Sequence, residues 1–484
     1  MSNIQLKHIP LIIILYLTFI YFGLVENLKS IVFPLIKDAF NESYDKLGLL
    51  VSVSWFGYVL FSIVATFCLA RYPTKWCFIF GYLIVIVGSL LTLVIPNFAL
   101  SVVIMTIIWM GFGFFELSGN TLATTLFTSS SAIWLNLLHF FYGVGAVLGP
   151  YYASWMVSLL DMSYKSPYIL VAIVVFITLI VIFFIKFDVK SISENEKSTM
   201  TIKDALSNWL VWYSSISLGF MEVIEFGACN WGGLYYRDVY GLDLQTDGAT
   251  FVSMFYIFFT ITRLVSGFWI EKLGYLNSII FSLVMCVIIY LIGFLMGANG
   301  RWLIPLTGFF IGILFPTYMC VGMEMFKDDG SMATNVMIVL SGATNGIMQY
   351  LIGIINEFIG NEWGFRCNVL YTAIPLITMT ILKIIIVHKK KANKDIYEPK
   401  KKEQKDIELG EVKKEEKGED KPGTEQVVVE GKLDTEQAVV EDKPDTEQEE
   451  KSKDEVAEQK PSEKQTQQQM ESAEQKTDVQ VSSN

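Results

Sequence analysis

The sequence predicts an all-α polytopic membrane protein: twelve transmembrane helices in two pseudo-symmetric six-helix bundles, followed by a disordered charged tail. Three observations carry this reading. The chain of 484 residues is 52% hydrophobic and 14% aromatic, with a mean hydropathy of +0.45, a composition that soluble domains rarely show. Apolar windows of about 20 residues, the length a helix needs to cross about 30 Å of hydrocarbon, recur throughout residues 9–388. Charged residues make up only 18% of the chain and concentrate after residue 389. The formal net charge of −11 therefore describes mainly the tail.

In order, the apolar cores are 9–35, 46–70, 76–95, 98–127, 132–160, 166–187, 206–236, 247–271, 274–297, 301–326, 332–359 and 364–388. Several exceed the minimum length and have room to tilt or kink. The first run is longer than the apolar stretch of a signal peptide and has no small-residue cleavage site, so it reads as a retained helix. Basic residues gather at Lys7, at Arg71 and Lys75, along Lys186 to Lys203, at Arg263 and Lys272, and at Lys389 to Lys394. The alternate loops carry fewer: Lys37, Lys46, Lys165, Arg237, Arg301 and Arg366. The positive-inside rule then places both termini in the cytoplasm, which an even span count requires. A monomer in the plasma membrane is expected.

The longest internal hydrophilic loop, 188–205, divides the body into bundles at 1–187 and 206–388. Two-fold pseudo-repetition is expected of such a layout. Its traces are faint, GLVEN in span one against GFMEVIEFG in span seven. The tail, 389–484, is rich in Lys, Glu, Gln, Asp and Ser, and cannot bury enough apolar surface to offset the entropy of ordering. Within it a decaying tandem repeat starts at Thr424, Thr435 and Thr446. Pro422 and Pro444 argue for a linker rather than a helical coil. Lys389 to Lys391, beside the last span, are placed to touch anionic lipid headgroups.

Six scattered cysteines and three histidines form no CxxC or Cys/His cluster, and neither a GxSxG nor a phosphate-cradling loop occurs. The sequence therefore predicts no metal, no cofactor, no nucleic-acid partner and no enzymatic chemistry. Translocation is what remains.

Ionisable and amide side chains at membrane depth are expensive, and they face a bundle interior or a wet cavity. Span one holds Glu26. Span four holds Glu116 and Asn120, four apart and so on one helix face. Span five holds Asn136 and His139, span seven Glu222, Glu225, Asn230 and Trp231, and span eleven Asn345 and Gln349. Each has a structural reading beside the functional one. Glu26 can simply pair with Lys29, the amides can serve as interhelical links, and His139 can be a packed ring bonded to a backbone carbonyl.

GFGFFELSGNTLA (111–123) in span four and NLLHFFYGVGAVLGP (136–150) in span five resemble the sugar:proton symporters of the major facilitator superfamily, specifically the fucose/galactose/glucose permease family. Weaker support comes from Glu26 and from TRLVSGFWIEKLG (262–274). The superfamily resemblance spans 1–388 and the family-level match 111–150. It implies that Glu26 and Glu116 couple protons and that Asn120 and Asn136 line the sugar cavity. His139 stands where many members have Gln or Ala. The loop motif after span two is reduced to LARYPTKW, whereas Arg263, Gly267 and Lys272 keep more of its second-half counterpart.

The expected function is alternating-access transport of a small polar solute, a hexose, with protons. Asn120, Asn136, His139, Glu225, Asn230, Trp231, Asn345 and Gln349 are the substrate-binding candidates. The alternatives are a carrier of a lipid, organic anion or amphipathic drug, and a transport-inactive nutrient sensor. An anion carrier calls for a basic residue at the cavity centre, and the sequence reading finds no arginine well inside a span.

Overall fold

The computed structural model describes residues 8–127, 131–160, 163–187, 200–392 and 396–397. Regular structure among them is helical. In chain order the α-helices are α1 (Ile9–Asn27), α2 (Lys29–Ala39), α3 (Tyr44–Arg71), α4 (Thr74–Leu91), α5 (Phe98–Leu126), α6 (Ser131–Leu160), α7 (Ser166–Phe184), α8 (Ile202–Leu206), α9 (Trp209–Tyr240), α10 (Ala249–Val265), α11 (Gly267–Leu273), α12 (Tyr275–Leu295), α13 (Thr307–Ile311), α14 (Leu314–Phe326), α15 (Gly330–Phe358), α16 (Trp363–Arg366) and α17 (Asn368–Lys391).

Twelve spans result, because α1 with α2, α10 with α11, α13 with α14 and α16 with α17 each form one interrupted span. Ten stretches meet the length and apolarity needed to cross a membrane, one of them running from Gly297 to Phe358 through spans ten and eleven. α9 is not among the ten; it carries Glu222, Glu225, Arg237 and Asp238. Polar caps set several boundaries. Asn97 accepts from the Leu100 amide at 2.9 Å and Asn208 from the Leu210 amide at 2.9 Å, while Thr201 and Asp204 form a capping box ahead of α9. α9 ends at Gly241, whose φ of +68° is the left-handed conformation that glycine adopts without penalty.

Span one runs beyond its expected core, to Ala39, and is interrupted at Leu28. There Asn27 Nδ2 donates to the Gly23 carbonyl at 2.9 Å and Ser30 Oγ to the Asn27 carbonyl at 2.9 Å. α1 lies along α6 at backbone distance: a Cβ on Gly23 would collide with the Tyr142 carbonyl, and one on Gly145 with the Ile20 carbonyl. α17 stays helical to Lys391, and Tyr397 packs on the second half. Its hydroxyl donates to Asp329 Oδ2 at 2.7 Å, and Asp329 Oδ1 accepts from the Met200 amide at 2.8 Å. The rest of the predicted tail, with its repeat, lies outside the described residues.

The two halves meet along α3 with α15 and α6 with α10. α1 begins and α17 ends on one face, termed the terminal face. On the opposite, distal face a polar seal joins the halves. Arg237 Nη1 pairs with Asp38 at 2.6 Å and its Nε with Asp238 at 2.7 Å, the Tyr44 hydroxyl donates to Asp238, and the Tyr44 amide donates to Glu357 at 2.8 Å. Just beneath, Gly48 and Gly353 allow α3 and α15 to touch, for a Cβ on Gly48 would lie 3.0 Å from Gly353 Cα. On the α6–α10 side Ser253 Oγ donates to the Val147 carbonyl at 2.8 Å.

Gly353→Leu is expected to part the distal face. Spin labels at Glu42 and Leu242 would then report a longer distance by double electron–electron resonance than in the parent protein. An unchanged distance distribution would show that the glycine contact does not hold this face shut.

Candidate functional site

Below the distal seal, between the halves, lies a cavity of about 290 Å³, at the lower edge of the ~300–1,000 Å³ typical of small-molecule sites. Its lining runs from Glu26, Trp55 and Phe226 toward Ser62, Asn120, His139, Arg263 and Ile338. The latter group sits nearer the helix ends at the terminal face. Aromatic and aliphatic side chains make up most of the wall, and several polar and charged groups converge on it.

Each carboxylate in this apolar setting has to be answered locally, because an isolated buried charge is strongly disfavoured. Glu26 Oε1 pairs with Lys29 Nζ at 3.3 Å, and Oε2 accepts from the Tyr142 hydroxyl at 2.6 Å. Lys29 is itself buried, its Nζ 4.3 Å from the Trp109 ring centre and 4.7 Å from that of Phe226, a cation–π sandwich. The Tyr58 hydroxyl donates to Glu116. Glu222 Oε1 lies 2.8 Å from Ser341 Oγ. Glu225 also borders the cavity, as does Arg263, whose guanidinium lies over the Phe259 ring at 4.4 Å.

Of the residues singled out from sequence, Glu26, Glu116, Asn120, His139 and Glu225 all reach the cavity wall. The His139 ring stands edge-on to Phe19 at 5.9 Å. The Asn136 side chain lies outside the described residues. Four candidates are placed away from the cavity. Asn230, Trp231, Asn345 and Gln349 are buried between α9 and α15 on the distal side of the cavity and bond one another. Asn230 Nδ2 and Trp231 Nε1 both donate to Gln349 Oε1, at 3.1 and 2.9 Å, and Gln349 Nε2 donates to Asn345 Oδ1 at 3.0 Å. Amides on two tightly packed helices reach each other before they reach a cavity, and here they act as an interhelical link.

Arg263 calls for a correction in the opposite direction. α10 continues to Val265, so this residue lies inside the span, and a helical side chain leans back toward the helix N-terminus. That direction carries the guanidinium over Phe259 and into the cavity rather than into a loop. Tyr58 and Trp55 were also missed, since an aromatic residue in an apolar helix looks the same whether it packs, anchors at an interface or donates to a carboxylate. Among the described residues no group of three or more His, Cys, Asp or Glu side chains is placed to hold a metal ion.

The sequence profile of the Major Facilitator Superfamily matches residues 15–342. The chain belongs to that superfamily. It is 24% identical over 394 residues to the L-fucose-proton symporter of Escherichia coli (strain K12), covering 73% of this chain and 88% of that one. The crystal structure of the E. coli transporter in its outward conformation superposes with a TM-score of 0.56 at 22% identity, covering 78% of this chain and 99% of that one. A bacterial homologue of the human lysosomal transporter Spinster, in an inward-facing and unoccupied conformation, superposes better, with a TM-score of 0.65 at 12% identity over 82% of this chain and 99% of that one. The fold is thus that of a major facilitator transporter.

Gln349→Leu removes the acceptor of two buried donors and is expected to cost roughly 1–3 kcal/mol of stability. It should lower the thermal unfolding midpoint in detergent while leaving substrate affinity unchanged. A large loss of affinity at unchanged stability would return Gln349 to the binding site.

Proposed function

We propose that this transporter moves a hexose by alternating access, coupled to protons that bind at Glu116 and Glu26. The observation that carries the reading is the Glu116 side chain on the cavity wall, bonded by Tyr58, with Asn120 on the same helix face. Support also comes from the relative described as an L-fucose-proton symporter. In this mechanism the two bundles, 1–187 and 206–388, rock about the cavity, and the distal seal opens as the terminal side closes.

A carboxylate inside an occluding apolar cavity opposes closure through its charge, and a proton removes that opposition. Sugar hydroxyls bond to Asn120 and to the carboxyl, while Trp55 and Trp109 offer flat faces to the apolar side of a pyranose. Protons and sugar are then linked because both favour the same occluded state. The protein acts as a monomer in the plasma membrane with both termini cytoplasmic. A second reading, an organic anion as solute, is favoured by Arg263 in the cavity wall, whose planar guanidinium suits a carboxylate or phosphate.

Proteoliposomes loaded with an inward proton gradient should accumulate a labelled hexose from a panel, and accumulation should decline as the external pH rises and the gradient is lost. Glu116→Gln should cut gradient-driven accumulation by roughly tenfold while sparing exchange at equal pH. Accumulation of an acidic solute, lost in Arg263→Ala, with no hexose transported, would favour the second reading. Glu116→Gln behaving as the parent would overturn the coupling assignment.

A further inference from the structure

Glu222 sits on α9 at the second-half wall of the cavity, 8% exposed. Its environment contains a proton-counting problem. Ser341 Oγ lies 2.8 Å from Glu222 Oε1 and 2.9 Å from the Ile338 carbonyl oxygen. Both neighbours are acceptors when the carboxyl is ionised, and a serine hydroxyl has one hydrogen to give. The other carboxylate oxygen, Oε2, is buried and meets no donor among the described residues. An ionised Glu222 would therefore leave one of the two contacts empty and a charged oxygen without a partner, in a place where each omission is costly. A hydrogen on the carboxyl resolves the count: Glu222 donates to Ser341 Oγ, Ser341 donates to the Ile338 carbonyl, and both short contacts become good hydrogen bonds.

The charged and titratable groups around Glu222 do not supply a substitute. Glu225 on its own helix and Glu116 on α5 repel a second negative charge, and Tyr58 on α3 is already committed to Glu116. Lys29, beside α9, is paired with Glu26. Arg263 of α10 lines the same cavity but makes no ion pair with Glu222 among the described residues. α14 and α17, which also pack on α9, contribute the phenols Tyr318 and Tyr371.

We infer that Glu222 is a proton-binding site of the second half, occupied in this conformation and additional to the carboxylates of the first half. Its position links it to the movement of the halves. Ser341 precedes Gly342, whose carbonyl accepts from Trp55 Nε1 at 2.8 Å across the α3–α15 contact. Losing the proton draws the Ser341 hydroxyl hydrogen from Ile338 toward a bare carboxylate, one residue from a bond that joins the halves. The protonated form thus favours the conformation with α3 and α15 together, and deprotonation favours their separation. The consequence for transport, one further proton per cycle, rests on the proton-coupled reading above; the protonation itself does not.

Infrared difference spectroscopy on the full-length protein in lipid, titrated without substrate, tests the protonation. The parent should show the carbonyl stretch of a protonated carboxyl near neutral pH. Glu222→Gln, which keeps an N–H donor for Ser341, should lose that band, and Ser341→Ala should shift it as the carboxyl loses its acceptor. Retention of the full band in Glu222→Gln, with loss of it in Glu116→Gln, would overturn the inference. For coupling, reversal potentials in proteoliposomes should show the proton-to-solute ratio of Glu222→Gln lowered by about one. A coupled parent with an unchanged ratio in Glu222→Gln would overturn the additional-proton step. If no solute proves proton-coupled, the functional reading fails while the infrared result still decides Glu222.

Discussion

Glu26 bonds Lys29 and Tyr142 at once, and the order of the cavity depends on that three-way contact. It sits where span one is interrupted at Leu28, so both charges of the pair come from one short stretch of chain. Tyr142 ties the stretch to α6, and Lys29 reaches the rings of Trp109 on α5 and Phe226 on α9. Removing either charge would strand the other away from water, a loss of about 3–5 kcal/mol for a buried pair. The remaining polar groups of the site, Glu116, Glu222, Glu225 and Arg263, are arranged around this contact.

α9 shows how one helix divides its length among different duties. Glu222 and Glu225 face the cavity, Asn230 and Trp231 bond Gln349 on α15, and Arg237 and Asp238 take part in the distal seal. The same three levels recur on α3. There Tyr58 and Trp55 meet the cavity, Gly48 makes the tight approach to α15, and Tyr44 closes the seal. At the closed face polar side chains join the two halves directly, Arg237 to Asp38 and Tyr44 to Asp238 and Glu357.

Much of this was legible in the sequence, for definite reasons. Hydrocarbon thickness fixes span length, so the twelve spans followed from apolar windows alone, and Glu116 and Asn120 share a face because of helical periodicity. What failed was the step from intramembrane polarity to cavity lining. Asn230, Asn345 and Gln349 are as polar as Asn120, yet whether an amide meets another amide or a cavity depends on which helix lies opposite, and a single chain does not reveal its neighbours. Arg263 was misplaced because its charge grouped it with the loop cations although it falls within the apolar run 247–271, and a long side chain can lean a full turn back from its Cα. Tyr58 had no signal at all, since its role arises from a contact 58 positions along the chain.

The Lys29 ammonium rests between a ring of the first half and a ring of the second. Unlike the ion pairs at the distal face, a cation over an aromatic face has no fixed donor–acceptor line, and the attraction persists under small shifts as long as the ring keeps its face to the charge. The centre of the molecule is therefore joined by a contact that tolerates rotation, while its rim is joined by contacts that must break. In the rocking motion proposed above such an arrangement would serve as a bearing, about which the halves swing without first being separated there.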